Sequence, residues 1–362
     1  MFATIIISFI AIFLAWLARF DKFKFGLELS FILLTIFMSI RYNFGNDYIV
    51  YLDLFNNTNL FADFKNAIHS NQFEIGWNIL SFLFKPIGFF GMIIFLTIFE
   101  YFVIYKTIKR HVPQDWYWFA VFIFTFNIAN MLVCASMMRQ FLAVCIFLLS
   151  IDYIIQKKWI ISILLVLLAS SFHTSALILI PFCFIGFLDI NLTTKKVVIW
   201  FSVYLLLYFF ATFFLRDLFY KILSIEQFQR YQVYLGGEKE RLGTGLGLIY
   251  SMIINLVLLL HQKYQSHEMK IIFILFFTSV FFYLFSEIAP IAGRLGYYFS
   301  ILSIVCYPSM FHVIKNLILK YILLSGYIIV TLKTFIDFFD PSGIWYKSFN
   351  TYQTIFSVSN WM

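Results

Sequence analysis

The sequence predicts an all-α integral membrane protein, a single polytopic helical bundle over residues 1–362. Three observations predict it. Hydrophobic residues make up 62% of the chain and charged ones 12%. Mean hydropathy is +0.89, with 50 phenylalanines, more apolar surface than one water-soluble core buries. The apolar residues lie in long unbroken runs, which fit spanning helices rather than the alternating pattern of barrel strands.

In chain order these runs predict about twelve helices: 2–18, 25–41, 87–106, 115–133, 140–156, 159–171, 174–188, 197–215, 247–262, 270–287, 295–313 and 319–336. The first segment, Met1 to Leu17, has no basic leader and no small-residue cleavage site, so it is expected to remain as a helix. Phe73 to Lys85 mixes Trp77, Leu80 and Phe84 with Glu74, Asn78 and Ser81 over a stretch too short to span, the pattern of an interfacial helix. Residues 159–188 form an almost continuous apolar run. At about 1.5 Å per residue it is long for one helix and short for two. The polar group Ser170, Ser171, His173, Thr174 and Ser175 predicts a hairpin there, either two thin spans or a re-entrant pair. A single tilted helix would reverse every later loop.

Orientation follows from the basic residues of the short loops. One set of alternate loops carries Arg19, Lys22 and Lys24; Lys106, Lys109 and Arg110; Lys157 and Lys158; Lys195 and Lys196; Lys263 and Lys270; and Lys315 and Lys320. These are densely basic and belong inside. The opposite face holds the loops at about 42–86 and 216–246 and the tail 337–362, where Lys65, Arg230 and Arg241 are nearly balanced by acidic residues. That face is expected outside, with both chain ends. The net charge of +8 is then a topology signal, and no basic cluster calls for nucleic acid. Cys134, Cys145, Cys183 and Cys306 lie in or beside apolar segments without metal-type spacing and read as packing residues.

Five charged or titratable residues at span ends fall on the outer face in this topology: Arg41, Asp47, Arg139, His173 and Arg294. Arg41 offers a planar fork of donors suited to phosphate oxygens, Gly45 permits a sharp turn, and Asp47 can accept a proton or bind sugar hydroxyls. An aromatic interfacial belt containing Tyr48 and Tyr51, with Arg41 snorkelling, is the alternative. Arg139, next to Gln140, has no acidic residue nearby in sequence, and a charge at such depth is a functional candidate. His173 is either a satisfied structural residue or a base or phosphate donor. Arg294 stands between small residues and ahead of Tyr297 and Tyr298, where a substrate or another helix can approach closely. Three separated outer-face arginines make an anion site. No tight carboxylate pair points to a metal; Asp337 and Asp340 read as a solvated helix end. The glycine-rich stretch from Gly236 to Gly245 lacks the GK[ST] of a P-loop and reads as an outer loop, and Gln227 to Tyr234 would suit sugar contacts or a surface helix. No internal repeat supports an inverted-repeat transporter.

At these positions the chain resembles the EpsG-type, broadly Wzy-like, bacterial polysaccharide polymerases. The resemblance rests on Arg41-Tyr42 with Gly45, Asp47-Tyr48 and Tyr51; on Arg139-Gln140 with Ala143; and on Ala169 with Phe172-His173-Thr174-Ser175-Ala176. Arg294 with Tyr297-Tyr298, and Asn350 to Gln353, are weaker echoes. The resemblance implies a metal-independent, cofactor-free glycosyltransferase of GT-C-like architecture in the bacterial inner membrane. It implies work at the periplasmic face on undecaprenyl-pyrophosphate-linked repeat units of O-antigen, capsule or exopolysaccharide. Membrane lipids, a chain-length regulator and a flippase are the partners it implies. Arg139, Arg294 and Arg41 would hold the pyrophosphate, Gln140, Tyr48, Tyr51 and Tyr297 would bind pyrophosphate or glycan, and Asp47 or His173 would take the proton. A lipid-linked oligosaccharide flippase and an O-antigen ligase are the rival readings.

Overall fold

The computed structural model describes residues 1–56, 65, 73–190, 193–210, 246–286, 290–343 and 345–357. The glycine-rich stretch 236–245 and the polar run 227–234 lie outside the described residues. The chain divides into two compact units, Met1–Gly186 with Thr331–Met362, and Phe187–Val330.

The first unit runs in order through α1 (Phe2–Leu17), α2 (Gly26–Ser39), β1 (Arg41–Tyr42), α3 (Tyr48–Asn56), α4 (Ile75–Phe84), α5 (Phe89–His111), α6 (Tyr117–Phe126), α7 (Leu132–Ser136), α8 (Met138–Ile155), α9 (Trp159–Ser170) and a 3₁₀ helix (Thr174–Phe187). Helix α1 packs on α2 and α6, α2 on α5, α5 on α8, and α8 on α9. Gly26 lets α2 meet α1 closely, since a Cβ there would collide with the Leu14 carbonyl. Helix α5 shows why a bilayer suits this unit. Met92, Leu96, Tyr101 and Ile104 are buried on one side, while Phe95, Ile98 and Phe102, spaced three and four apart, are exposed on the other. Three helices among the described residues are long and apolar enough to cross a membrane: α5, α8 and Leu317–Phe338. With the shorter apolar helices Phe2–Leu17, Ile75–Phe84, Trp159–Ser170 and Thr174–Phe187, they mark a membrane protein.

The hairpin expected at 159–188 forms. Trp159 at the start of its first arm stacks on Phe184 near the end of its second, with ring centroids 5.7 Å apart. The chain thereby returns to the end of α8, where Gly186 presses on the Ile154 carbonyl. The second arm is a 14-residue 3₁₀ helix, and at roughly 2.0 Å rise per residue it reaches about 28 Å, close to the hydrocarbon thickness. A run too short to span as a second α-helix is thus made longer by tighter winding. Gly186→Ala should cost about 1–3 kcal/mol by forcing the hairpin off α8, read as a lower unfolding temperature of the detergent-solubilised protein.

The expected single span at 115–133 is interrupted. Asn127 Oδ1 accepts the Ala129 amide at 3.2 Å, and Asn130 Nδ2 donates to the Ile123 carbonyl at 3.1 Å. These side chains compete with the helical ladder, ending α6 at Phe126 and starting α7 at Leu132.

The second unit contains α10 (Thr194–Phe210), α11 (Leu246–His261), α12 (His267–Ser286), α13 (Pro290–Ser300), α14 (Ser303–Val313) and most of α15 (Leu317–Phe338). Its apolar cluster joins Val197 and Tyr204 of α10 to Leu259 of α11 and to Phe277 and Val280 of α12. The span expected at 295–313 is divided between α13 and α14, where the Ile304 and Val305 amides bond back three residues to Ile301 and Leu302 at 3.2 and 2.9 Å. Asn255 accepts the buried Tyr307 hydroxyl at 3.1 Å.

The tail returns to the first unit. After α15 come α16 (Tyr346–Phe349) and β2 (Gln353–Thr354), which pairs antiparallel with β1, Arg41 opposite Thr354 and Tyr42 opposite Gln353. Tyr352 stacks on Phe37 at 4.2 Å, and Phe44 packs against Phe349 at 5.0 Å and Tyr352 at 5.3 Å. The amino terminus donates to the Asn350 carbonyl at 2.8 Å.

Candidate active site

The segment between α2 and α3 is built to hold a turn in place. Helix α2 ends at Ser39, Arg41 and Tyr42 extend into β1, Asn43 adopts a left-handed backbone (φ 47°), and Gly45 follows at φ 123°. Gly45 is required twice over. Its φ strains any L side chain, and a Cβ there would stand 3.1 Å from both the Ala135 carbonyl and the Ser136 hydroxyl. The turn is pinned by Asn46 N–H donating to Ser136 Oγ at 2.8 Å and by Gly45 N–H donating to the Ser348 carbonyl at 3.2 Å. Tyr48 is fully buried, and its hydroxyl donates to the Arg41 carbonyl at 3.0 Å.

From this anchored start α3 carries Tyr51 to Arg139 in the first turn of α8. Arg139 Nε donates to the Tyr51 hydroxyl at 2.9 Å, and its guanidinium lies 4.6 Å from the Phe73 ring centroid. The same guanidinium forms an ion pair with Glu74, the residue before α4. Arg139 and Glu74 side chains remain 22% and 20% exposed, so the pair is accessible from outside the unit. The other Glu74 oxygen accepts the Thr174 amide at 3.1 Å. Gly76 N–H donates to the Ser171 carbonyl at 2.7 Å, holding the start of α4 against the hairpin tip. His173, at that tip, has its Nδ1 2.6 Å from Ser175 Oγ.

Burial pushes the Tyr51 hydroxyl's pKa up; the Arg139 charge opposes the shift, and the Asp47 and Glu74 carboxylates add to it. Glu74 thus pairs with Arg139, and the Asp47 carboxylate acts on the Tyr51 hydroxyl. The arrangement can bind an oxyanion at a preplaced guanidinium while keeping a proton acceptor near. Tyr51→Phe, which keeps the ring and removes the oxygen that orients Arg139, should cost about 1 kcal/mol. A lower unfolding temperature of the detergent-solubilised protein checks this.

Arg41 does not join this cluster. The structure turns Arg41 inward, 3% exposed, where it donates to the Met38 carbonyl and to Thr97 Oγ1 at 2.9 Å. It lines, with Glu100, Tyr101 and Met131, a cavity of about 10 Å³, room for one water. Gln140 is 3% exposed. Arg294 and Tyr297 stand on α13 of the second unit, Arg294 exposed and Gly296 beside it packed on Phe282 of α12. Among the described residues no three His, Cys, Asp or Glu side chains are grouped as metal ligands.

Two acidic residues were missed as site candidates. Glu74 reads in sequence as one polar residue of an interfacial helix, and its link to Arg139 spans 65 positions. Glu100 carried a usable signal: it lies far inside the 87–106 run, where a carboxylate is a functional candidate by default.

Neither a curated protein nor a solved structure matches the chain. A model of the EpsG family matches residues 26–354, a stretch that holds the β1 turn, Arg139, the hairpin tip and β2 alike, and the chain therefore belongs to the EpsG family.

Proposed function

We propose that this protein is a polysaccharide polymerase that joins undecaprenyl-pyrophosphate-linked repeat units into O-antigen, capsule or exopolysaccharide at the outer face of the inner membrane. Family membership supports a polymerase-like glycosyltransferase. The observation that carries the finer reading is the partly exposed Arg139, oriented by Tyr51, stacked on Phe73 and paired with Glu74.

In this reading an acceptor sugar hydroxyl attacks the anomeric carbon of the donor glycan. The bond from that carbon to the pyrophosphate oxygen breaks, and its electron pair leaves on undecaprenyl pyrophosphate. Arg139 stabilises that developing charge, most effectively because the site is only partly wet. The hydroxyl proton passes to Asp47 or His173. Tyr48 holds the segment that carries Asp47, and Arg41 anchors it from within the bundle. Arg294 and Tyr297 keep their expected role in binding the donor, which Arg294→Ala tests. No cofactor is invoked.

Asp47→Asn keeps size and removes basicity. It should reduce turnover at least a hundredfold if Asp47 is the base; near-normal turnover moves that role to His173. The broader test is a glycan profile of cells lacking the gene. Single repeat units on the outer face with long chains absent are expected. Long lipid-linked polymer left unattached would mean a ligase, and repeats trapped on the inner face a flippase.

A further inference from the structure

We infer that Glu74 is a displaceable counter-ion: it occupies the Arg139 guanidinium in the resting enzyme, yields it to the donor's pyrophosphate, and reclaims it to expel the spent carrier. This rests on the proposed pyrophosphate-linked donor.

The geometry that motivates it is an anion site already holding an anion. The Glu74 carboxylate takes one edge of the guanidinium, while Tyr51 takes Nε and Phe73 lies against its face. A pyrophosphate oxygen pair needs the same planar fork of donors, so carboxylate and pyrophosphate compete for it. Tyr51 and Phe73 would hold the guanidinium in place during the exchange, since neither contact is made through the Glu74 carboxylate. The second carboxylate oxygen gives the exchange a direction, because its bond to the Thr174 amide at the hairpin tip must break if Glu74 swings away.

An internal competitor weakens binding of the donor and of the product alike. Glycosyl transfer leaves undecaprenyl pyrophosphate with more negative charge than the donor it came from, and an arginine without a rival would release it slowly. Glu74 thus raises turnover at the expense of affinity. A purely structural carboxylate would do neither, and a general base would raise turnover without touching affinity.

The experiment uses the full-length protein in detergent, with inorganic pyrophosphate as the binding probe and lipid-linked repeat units extracted from cells lacking the gene as substrate. Glu74→Gln should bind pyrophosphate about tenfold more tightly than wild type, a change of about 1.4 kcal/mol, while polymer formation slows. Unchanged or weaker pyrophosphate binding in Glu74→Gln overturns the inference. If wild type and Arg139→Ala bind pyrophosphate equally, the anion-site reading fails with it. Wild-type protein supplies a second measurement should the variant not insert. Adding pyrophosphate should speed amide hydrogen exchange at Thr174, which loses its acceptor; slower or unchanged exchange there overturns the counter-ion role.

Discussion

Arg139→Ala is expected to abolish polymer while leaving the protein inserted in the membrane. In the proposed site the guanidinium is the preplaced cation, and removing one such donor from a partly dry site costs about 10²–10³ in rate. The variant also strands Glu74 beside Tyr51, which repels any incoming phosphate. Stability should suffer less, because the pair is 22% and 20% exposed and water can solvate the remaining carboxylate. The check is a size-resolved glycan gel beside a membrane-fraction immunoblot. Normal chain lengths at normal protein level would remove Arg139 from the site. Lysine restores the charge but not the bidentate fork or the Nε contact to Tyr51, so Arg139→Lys should recover only part of the activity.

The second large effect is predicted inside the bundle. Arg41 and Glu100 face one small cavity between β1 and α5, and both are almost wholly buried, at 3% and 6% exposure. Removing Arg41 leaves the Met38 carbonyl and Thr97 Oγ1 without their buried donor, and removing Glu100 leaves the buried guanidinium without the carboxyl that faces the same cavity, each a change of about 1–3 kcal/mol. Arg41→Met and Glu100→Met should therefore each sharply lower the amount of folded protein. The double variant tests whether the two residues act together: more folded protein than in either single variant couples them across the cavity. Measured levels that fall further in the double variant than in either single one would dissociate the two residues. If Arg41's role is to anchor the 41–51 segment, the double variant should insert but polymerise poorly, because Tyr48 and Gly45 lose their support.

The apolar helices were legible because hydropathy is a local sum: each helix core reports itself in a window of about 20 residues. The hairpin at 159–188 was legible for a related reason, since its polar tip is contiguous, though the tight winding of Thr174–Phe187 was not. The interruption after Phe126 escaped notice because two asparagines in an apolar run can sit in a helix or replace its hydrogen bonds, and local geometry decides which. Arg139 stood out by its isolation in sequence, and that isolation proved to be only sequential, as its acidic partner comes from 65 residues earlier. Arg41 carried the same signal as Arg139 yet points into the bundle, because β1 leaves α2 against α5, where Thr97 and Glu100 await it.

Membrane class, the helical building material, the hairpin and the three motifs on which the resemblance rests can all be read from residue order, since each depends on composition or on spacing within a few turns. The assembly of the site cannot. Arg139 meets Glu74, Glu74 meets Thr174, and β1 meets β2 across more than 300 residues, and each contact follows from how whole helices pack. Long-range pairing leaves no local periodicity, because the forces that choose it, burial of one face against another and satisfaction of stranded polar groups, act on surfaces that exist only after folding.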